Sequence, residues 1–458
     1  MSDNFSIEKI ILYPYWKQES STDDEKFESS AILEKVSIGN YVEALKDEEA
    51  LKALTFNVSD SISNRTSIHE FYKQNFTSYL EGGGRKAEEV LFSIGVSCLQ
   101  LFVQNNFCGP LVGPPAHTLI PFLIPSDSNE TETRDCALKE LFIDTDGIYT
   151  MIALPELLII ARIVFFDLQE NLSSFLTVDW WCFRYCIIHQ KIADESSESL
   201  HDIMMKSIGR IEASKIISEE DRDICALFHL ETVNGFLFYY DVKNAKEHVN
   251  KALNVLGMEI DLTGALGVRT KWQERKIAQL VAKVSYTNKH LTSEEQKGPF
   301  LLPTDLPKDV VLNDETRLNK IKFIEEDEDV IPNLRPVEQM ALFGQFLLLR
   351  KSQAQDDQLT EQSKAYLVSI LQYPKNWALQ LSALLMRSKI ESNETRAMER
   401  SLIQLEELVK AIQVEEPSRF ERLKLIYSSS LLTHWNVQKE LASMLIRLGL
   451  CEDRFRNF

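Results

Sequence analysis

An all-α fold is what the sequence predicts, built as α-solenoid-like helical hairpins. Three observations predict it. Apolar residues recur at spacings of three and four along most of the 458 residues. Capping residues, glycines and prolines divide those runs into helix-length pieces. Clean apolar–polar alternation is rare, so no sheet is expected.

Residues 1–30 form a mixed N-terminal segment ending near the acidic Asp23-Asp24-Glu25. A helical N-terminal domain is expected over 31–285. Within it, Glu88–Gln104 sets Val90, Leu91, Ile94, Cys98, Leu101 and Phe102 on one face. That helix is expected to stop at Asn105-Asn106. Cys108-Gly-Pro-Leu-Val-Gly-Pro-Pro115 then reads as a loop or extended strap, because its Pro and Gly residues cannot continue a helix. Further helices are expected at Leu154–Gln169, Trp180–Ala193, Glu198–Ile216, Asp221–Tyr240 and Asn244–Leu256.

A Pro-rich acidic strap or linker is expected over 286–337. It holds Pro299, Pro303, Pro307, Pro332, Pro336 and the acidic run Glu325–Asp329. It should lack long regular structure, with Val310–Leu312 and Ile321–Ile324 docking on helices. The region 338–458 reads as a helical-hairpin solenoid ending in a truncated repeat. Asn376 caps a helix from Trp377 to Glu391, and Asn393 the next, to Ile412. Ser418 and Glu421 form a capping box for a helix to Leu431, and Thr433 caps the last, to Gly449. In that last helix, Trp435, Leu441-Ala442, Leu445 and Leu448-Gly449 follow the spacing of the first helix of a tetratricopeptide repeat. Ile224–Gly257 is either a looser repeat or an ordinary αα-hairpin.

Composition bounds the function. Hydrophobic residues make up 44% of the chain, enough for a core, and the net charge is -19. A nucleic-acid backbone or an anionic membrane is therefore a poor main partner. The N-terminus lacks the basic start and apolar run of a secretory signal. The strongest apolar stretch, Met151–Phe166, is broken by Pro155, Glu156 and Arg162, and is shorter than the ~20 residues that span a bilayer. Seven cysteines without a CxxC pair read as free thiols. A cytoplasmic setting, with the nucleus as an extension, is expected.

A set of blocks spread over the chain carries a resemblance. They are Leu91–Gln104 with Gly109-Pro110, Trp180-Trp181 with His189-Gln190, and Asp261–Gly267 with Arg269-Thr270. Trp377–Gln380 with Ser382–Leu385, Glu421–Lys424, and His434-Trp435 with Gln438, Leu441–Ser443 and Leu448-Gly449 complete the set. Together they resemble the tetratricopeptide repeat protein 27 family. The resemblance implies a long helical N-terminal region followed by a repeat array. It implies no enzymatic activity, and a part in chaperone-assisted assembly of large complexes and in cell-wall integrity. In the family, repeats continue past the Leu448-Gly449 position, whereas this chain runs to Phe458, with Arg454 where a small residue is needed. The chain is thus expected to be the N-terminal portion of such a protein.

No catalytic, cofactor or metal site is expected; GxSxG, HExxH and GxxxxGK[ST] are all missing. Cys182, Cys186 and His189 share one helical face, but flanking Trp180, Trp181, Phe183 and Tyr185 favour core packing over zinc. Gly82-Gly83-Gly84 before Arg85-Lys86 reads as a helix–helix loop. Gly264 and Gly267 with Arg269, Lys271 and Arg275 read as a turn capping the next helix, or as a contact for an anion or acidic partner. Leu445 and Leu448 are expected to lie on a partly bare C-terminal surface, with self-association as its consequence. The expected function is a scaffold for other proteins, including chaperone or complex-assembly machinery. The alternatives are a structural subunit of a solenoid-rich complex or a helical metal-binding or enzyme domain.

Overall fold

The computed structural model describes residues 2–15, 30–56, 67–111, 116–120, 130–144, 147–217, 221–287, 305–324, 331 and 333–450. The acidic run Glu325–Asp329, the end of the Gly/Pro strap at 112–115 and the tail 451–458 lie outside them. The chain divides into two compact units, Met1–Ser218 and Glu219–Phe458.

The first unit contains α1 (Ser2–Leu12), α2 (Ala31–Ser37), α3 (Tyr41–Leu45), α4 (Glu48–Leu54) and α5 (Ile68–Val103), then α6 (Ala116–Leu119), α7 (Glu130–Glu140), α8 (Pro155–Arg162), α9 (Val178–Ile192) and α10 (Glu198–Ala213). Its centre is α5. Every residue from Val90 to Val103 is buried, so the one-faced stripe expected there is a helix covered all round. The segment Ile68–Cys108 is long and apolar enough to cross a membrane, yet its apolar window is wholly buried in the protein. Gly82-Gly83-Gly84 is a break within α5 rather than a loop: Gly84 takes φ 53°, a backbone that residues with a Cβ rarely adopt. Asn105 and Asn106 do not stop the helix, which continues as a π-turn over Gln104–Cys108. Their amides donate back to the Leu101 and Phe102 carbonyls at 2.7 and 2.9 Å.

The second unit opens with the hairpin α11 (Arg222–Phe238) and α12 (Val242–Leu256). Asp241 caps α12 by accepting the Asn244 N–H at 3.1 Å. Gly257 ends α12 in the left-handed region at φ 65°. The chain then enters β1 (Met258–Thr270) and β2 (Ile277–Tyr286), joined later by β3 (Arg317–Phe323), in an antiparallel sheet of order β2-β1-β3. This sheet corrects the expectation of none. Met258, Ile260 and Leu262 alternate with Glu259, Asp261 and Thr263, the period-two signal of a strand. Gly264 and Gly267 are therefore strand residues and do not cap a helix. A Cβ at Gly267 would sit 3.1 Å from both Ile321 Cγ2 and the Lys322 carbonyl, so glycine lets β3 approach.

Helices resume with α13 (Pro336–Ser352), α14 (Asp357–Gln372), α15 (Trp377–Glu391), α16 (Met398–Gln413), α17 (Arg419–Leu423) and α18 (His434–Arg447). Consecutive members of α13–α16 pack on one another, and α18 packs on α16. These hairpins are the expected all-α fold. Asn376 caps α15, accepting the Leu379 N–H at 2.9 Å. Asn393 caps nothing, since α16 begins at Met398 behind Ala397. Ser418 accepts the Glu421 N–H at 3.4 Å, but Glu421 pairs with Lys424 at 2.6 Å, leaving half of the expected capping box. The Ser418 helix ends at Leu423, because Leu425 and Ser430 take φ 58° and 54°. The composition boundaries at 285 and 337 are not those of the compact units: α11–α12 belong with the C-terminal hairpins, and β3 lies inside the supposed strap.

Candidate functional site

The strap docks by its backbone. Gln404 of α16 is fully buried, and its side-chain amide pairs with an extended segment like a neighbouring peptide group. Nε2 donates to the Lys308 carbonyl at 2.7 Å and Oε1 accepts the Val310 N–H at 2.9 Å. Gln380 of α15 donates to the Pro307 carbonyl at 2.7 Å, and Arg387 pairs with Asp309 at 2.5 Å. Val310 is buried, while Val311 turns 65% of its surface outward. Of the expected docking residues, Val310 seats on the helices, Phe323 of β3 packs into the cluster that Val368 also joins, and Ile321 of β3 lines the cavity beside the strap. Gln404→Ala leaves a buried N–H and carbonyl unpaired, a loss of about 1–3 kcal/mol. Hydrogen exchange at the Val310 amide should then speed up about tenfold or more; unchanged protection would show that the strap is held by other contacts.

Beside the strap lies a cavity of about 150 Å3. Leu367, Val368 and Leu371 of α14 and Ile321 and Phe323 of β3 give it apolar walls. Charges ring it in pairs. Lys364 bonds Glu394 at 2.5 Å and Glu361 at 2.8 Å, Arg400 bonds Glu391, and Arg317 faces Glu394 at 3.7 Å. Arg269, singled out in the sequence, reaches Glu361 at 3.4 Å. Its charge is thus partly answered within the unit.

Lys271 and Arg275 sit at the distal end of the sheet, past the last β1–β2 rung at Gly267 and Ile277. Between them stands Trp272, 79% exposed. The Lys271 ammonium donates to the Asp314 carbonyl at 3.0 Å, and Arg275 and Lys276 are exposed. Gln273 ties the turn together. It accepts the Arg269 N–H at 3.0 Å and donates to the Arg275 carbonyl at 2.7 Å. Trp272 escaped the sequence reading because the stretch was taken for a helix start.

The Cys182, Cys186 and His189 face is interior. All three residues are buried, and both ring nitrogens of His189 are engaged, Nδ1 with the Tyr185 hydroxyl at 2.7 Å and Nε2 with the Leu141 carbonyl at 2.8 Å. A ring with both nitrogens committed has no lone pair for a metal.

The tetratricopeptide repeat protein 27 homolog of Dictyostelium discoideum is 25% identical over 96% of this chain and 55% of its own length. The chain is a relative of the tetratricopeptide repeat protein 27 family. A TPR repeat-containing protein of Schizosaccharomyces pombe is 25% identical over 79% of this chain and 49% of its own. The Saccharomyces cerevisiae protein named essential for maintenance of the cell wall protein 1 is 23% identical over 79% and 49%. The chain spans about half the length of these curated relatives. No family model matches it, and no solved structure does.

At α18, where this relative of repeat proteins carries its repeat-like spacing, Leu445 is 1% exposed and Leu448 half-buried. The exposed apolar side chains there are Ile446 and Leu450 instead. The expected bare surface does not include Leu445, because α18 turns that side onto α16.

Three histidines of this chain set its acid response. Burial lowers His229 to about 3, with His248 and Lys251 adding repulsion, and lowers His189 and His434 to about 4. In the unfolded chain such groups titrate near 6.5. Their folded pKa values lie below that, so the stability they contribute is full above about 6.5 and falls as pH drops towards 4. Glu8, raised to about 7 by burial, acts oppositely in the first unit. The second unit should therefore be the more acid-sensitive, by on the order of 2 kcal/mol at about pH 5 from His229. Urea midpoints read from the emission of Trp377 and Trp435 at neutral pH and near 5 check this, and His229→Asn should flatten the difference.

Proposed function

We propose that this chain is a non-catalytic scaffold that holds other proteins. One observation carries the reading. The α15–α16 face holds an extended backbone, residues 307–310 of this same chain, through Gln380 and Gln404, with Arg387 pairing its Asp309. Stacked helical hairpins build extended surfaces of this kind for other proteins. The repeat-protein names of the relatives support the same reading. We place the scaffold in the cytoplasm, in chaperone-assisted assembly of large complexes and in cell-wall integrity; a fungal relative is named for maintenance of the cell wall.

Affinity capture of the tagged chain from cells, followed by mass spectrometry and gradient sedimentation, tests this. A scaffold for assembly captures several proteins below stoichiometric amounts. A fixed stoichiometry within one large complex would make the chain a structural subunit instead. Capture of nothing beyond the tag control would remove the scaffold reading.

A further inference from the structure

We infer that the tip of the β1–β2 hairpin, centred on Trp272, docks an acidic peptide segment of a partner protein. The inference deepens the scaffold reading and rests on it. Soluble chains seldom leave a tryptophan bare, and those at interfaces are the residues that most often anchor a partner. Of the tryptophans in described residues, Trp180, Trp181, Trp377 and Trp435 are buried, and Trp272 alone is exposed. Leu266 and Ile277, near the tip on opposite faces of the sheet, are also exposed, at 54% and 57%.

Charge selects the partner. The chain has 69 acidic against 50 basic residues, yet residues 258–286 and 317–323 carry eight Lys and Arg against three Asp and Glu. Around Trp272 stand Lys271, Arg275 and Lys276, with Glu274 in the turn and Asp314 and Glu315 on the segment that Lys271 bonds. Among the described residues, none of the three cations is paired with a carboxylate. Arg269, Arg317, Lys364 and Arg400 at the neighbouring cavity are so paired, whereas the three cations of the tip are exposed. The Gln273 bonds fix the turn, so little conformational entropy remains to be lost on binding.

A short acidic peptide feels this local field within a Debye length of ~8 Å. A long polyanion would also meet the acidic remainder of the chain, and a single aromatic offers no run of stacking platforms for nucleic-acid bases. The geometry therefore favours a peptide carrying carboxylates beside one apolar side chain over RNA or a membrane.

The test uses the full chain, Trp272→Ala and the double variant Arg275→Glu/Lys276→Glu. All three changes are at exposed positions, and circular dichroism confirms folding. The probes are a labelled peptide of Glu and Asp interrupted by Leu, its Gln/Asn counterpart, a single-stranded RNA oligonucleotide, and phosphatidylserine vesicles. The acidic peptide should bind, shift the tryptophan emission to the blue, and weaken with salt. Each variant should lose about tenfold in affinity. Equal binding by the variants, equal binding of the neutral peptide, or tighter binding of RNA or vesicles overturns the inference. If the variants retain every protein captured by the wild type, the scaffold reading stands and the tip is not its site. If the peptide binds as expected but nothing is captured from cells, the tip binds acid and the scaffold reading fails.

Discussion

Replacing Arg422 by alanine should destabilise the C-terminal hairpins by about 3–5 kcal/mol, among the largest single-residue effects in the chain. The guanidinium is fully buried beneath Trp377, whose ring centre lies 5.0 Å away. Its partners are the carbonyls at the end of α16 and in the following loop. Nε donates to Pro417 at 3.0 Å, Nη1 to Ala411 at 3.1 Å and Ile412 at 3.3 Å, and Nη2 to Glu416 at 2.9 Å and to Val414. Carbonyls at a helix C-terminus have no partners of their own and carry the negative end of the helix dipole. One planar fork therefore satisfies several acceptors, and their dipoles solvate its charge. Alanine removes the charge, strands the acceptors and leaves a void under Trp377. Arg422→Lys keeps the charge but loses the fork, and should cost about half as much. Hydrogen exchange across α16 and α17 reads the loss locally. A cost below about 1 kcal/mol would mean that water replaces the guanidinium without penalty.

Arg422 illustrates what the sequence could not reveal. It stood in a block read for its capping residues and for the family resemblance, and nothing in Glu421-Arg-Leu-Lys424 says that the arginine turns inward. Helix starts were legible: Asn376 caps α15 as expected, and α18 begins after Thr433 as expected, although the Thr433 side chain caps no backbone N–H. The core of α5 was legible as a helix but not as a buried one, since its polar positions are Ser93, Ser97 and Gln100, small or amide groups that burial tolerates. The sheet was missed although Met258–Thr263 alternates, because two glycines and a cluster of cations followed and resembled a helix start. The docked strap was half legible. Its apolar pair was visible, but the buried glutamines that hold its backbone lie about 70 to 100 residues away in α15 and α16. Trp272 follows the same logic, for its exposure depends on a turn that no local pattern announced.

Two glycines in helices should respond to the same substitution with opposite signs. In an exposed helix, Gly→Ala stabilises by ~0.5–1 kcal/mol, since alanine loses less backbone freedom. Gly209 of α10 meets that condition, with no atom within 4 Å of an added Cβ, and Gly209→Ala should raise stability by about that amount. Gly95 of α5 does not. A Cβ there would lie 2.6 Å from Val164 Cγ1 and 2.8 Å from Phe165 Cζ. Phe165 has no room to withdraw: it is fully buried, stacked on Trp181 at 6.0 Å and edge-on to Phe92 at 6.1 Å. Overpacking of that kind costs about 1–3 kcal/mol, which outweighs the gain in helix propensity. Gly95→Ala should therefore destabilise the first unit, and Gly95→Val, with two further methyls, should cost about 3 kcal/mol or more. Urea midpoints followed by the emission of the buried Trp180 and Trp181 measure both. If Gly95→Ala and Gly209→Ala shifted the midpoint equally upward, α5 would not be gripped by the turn after α8.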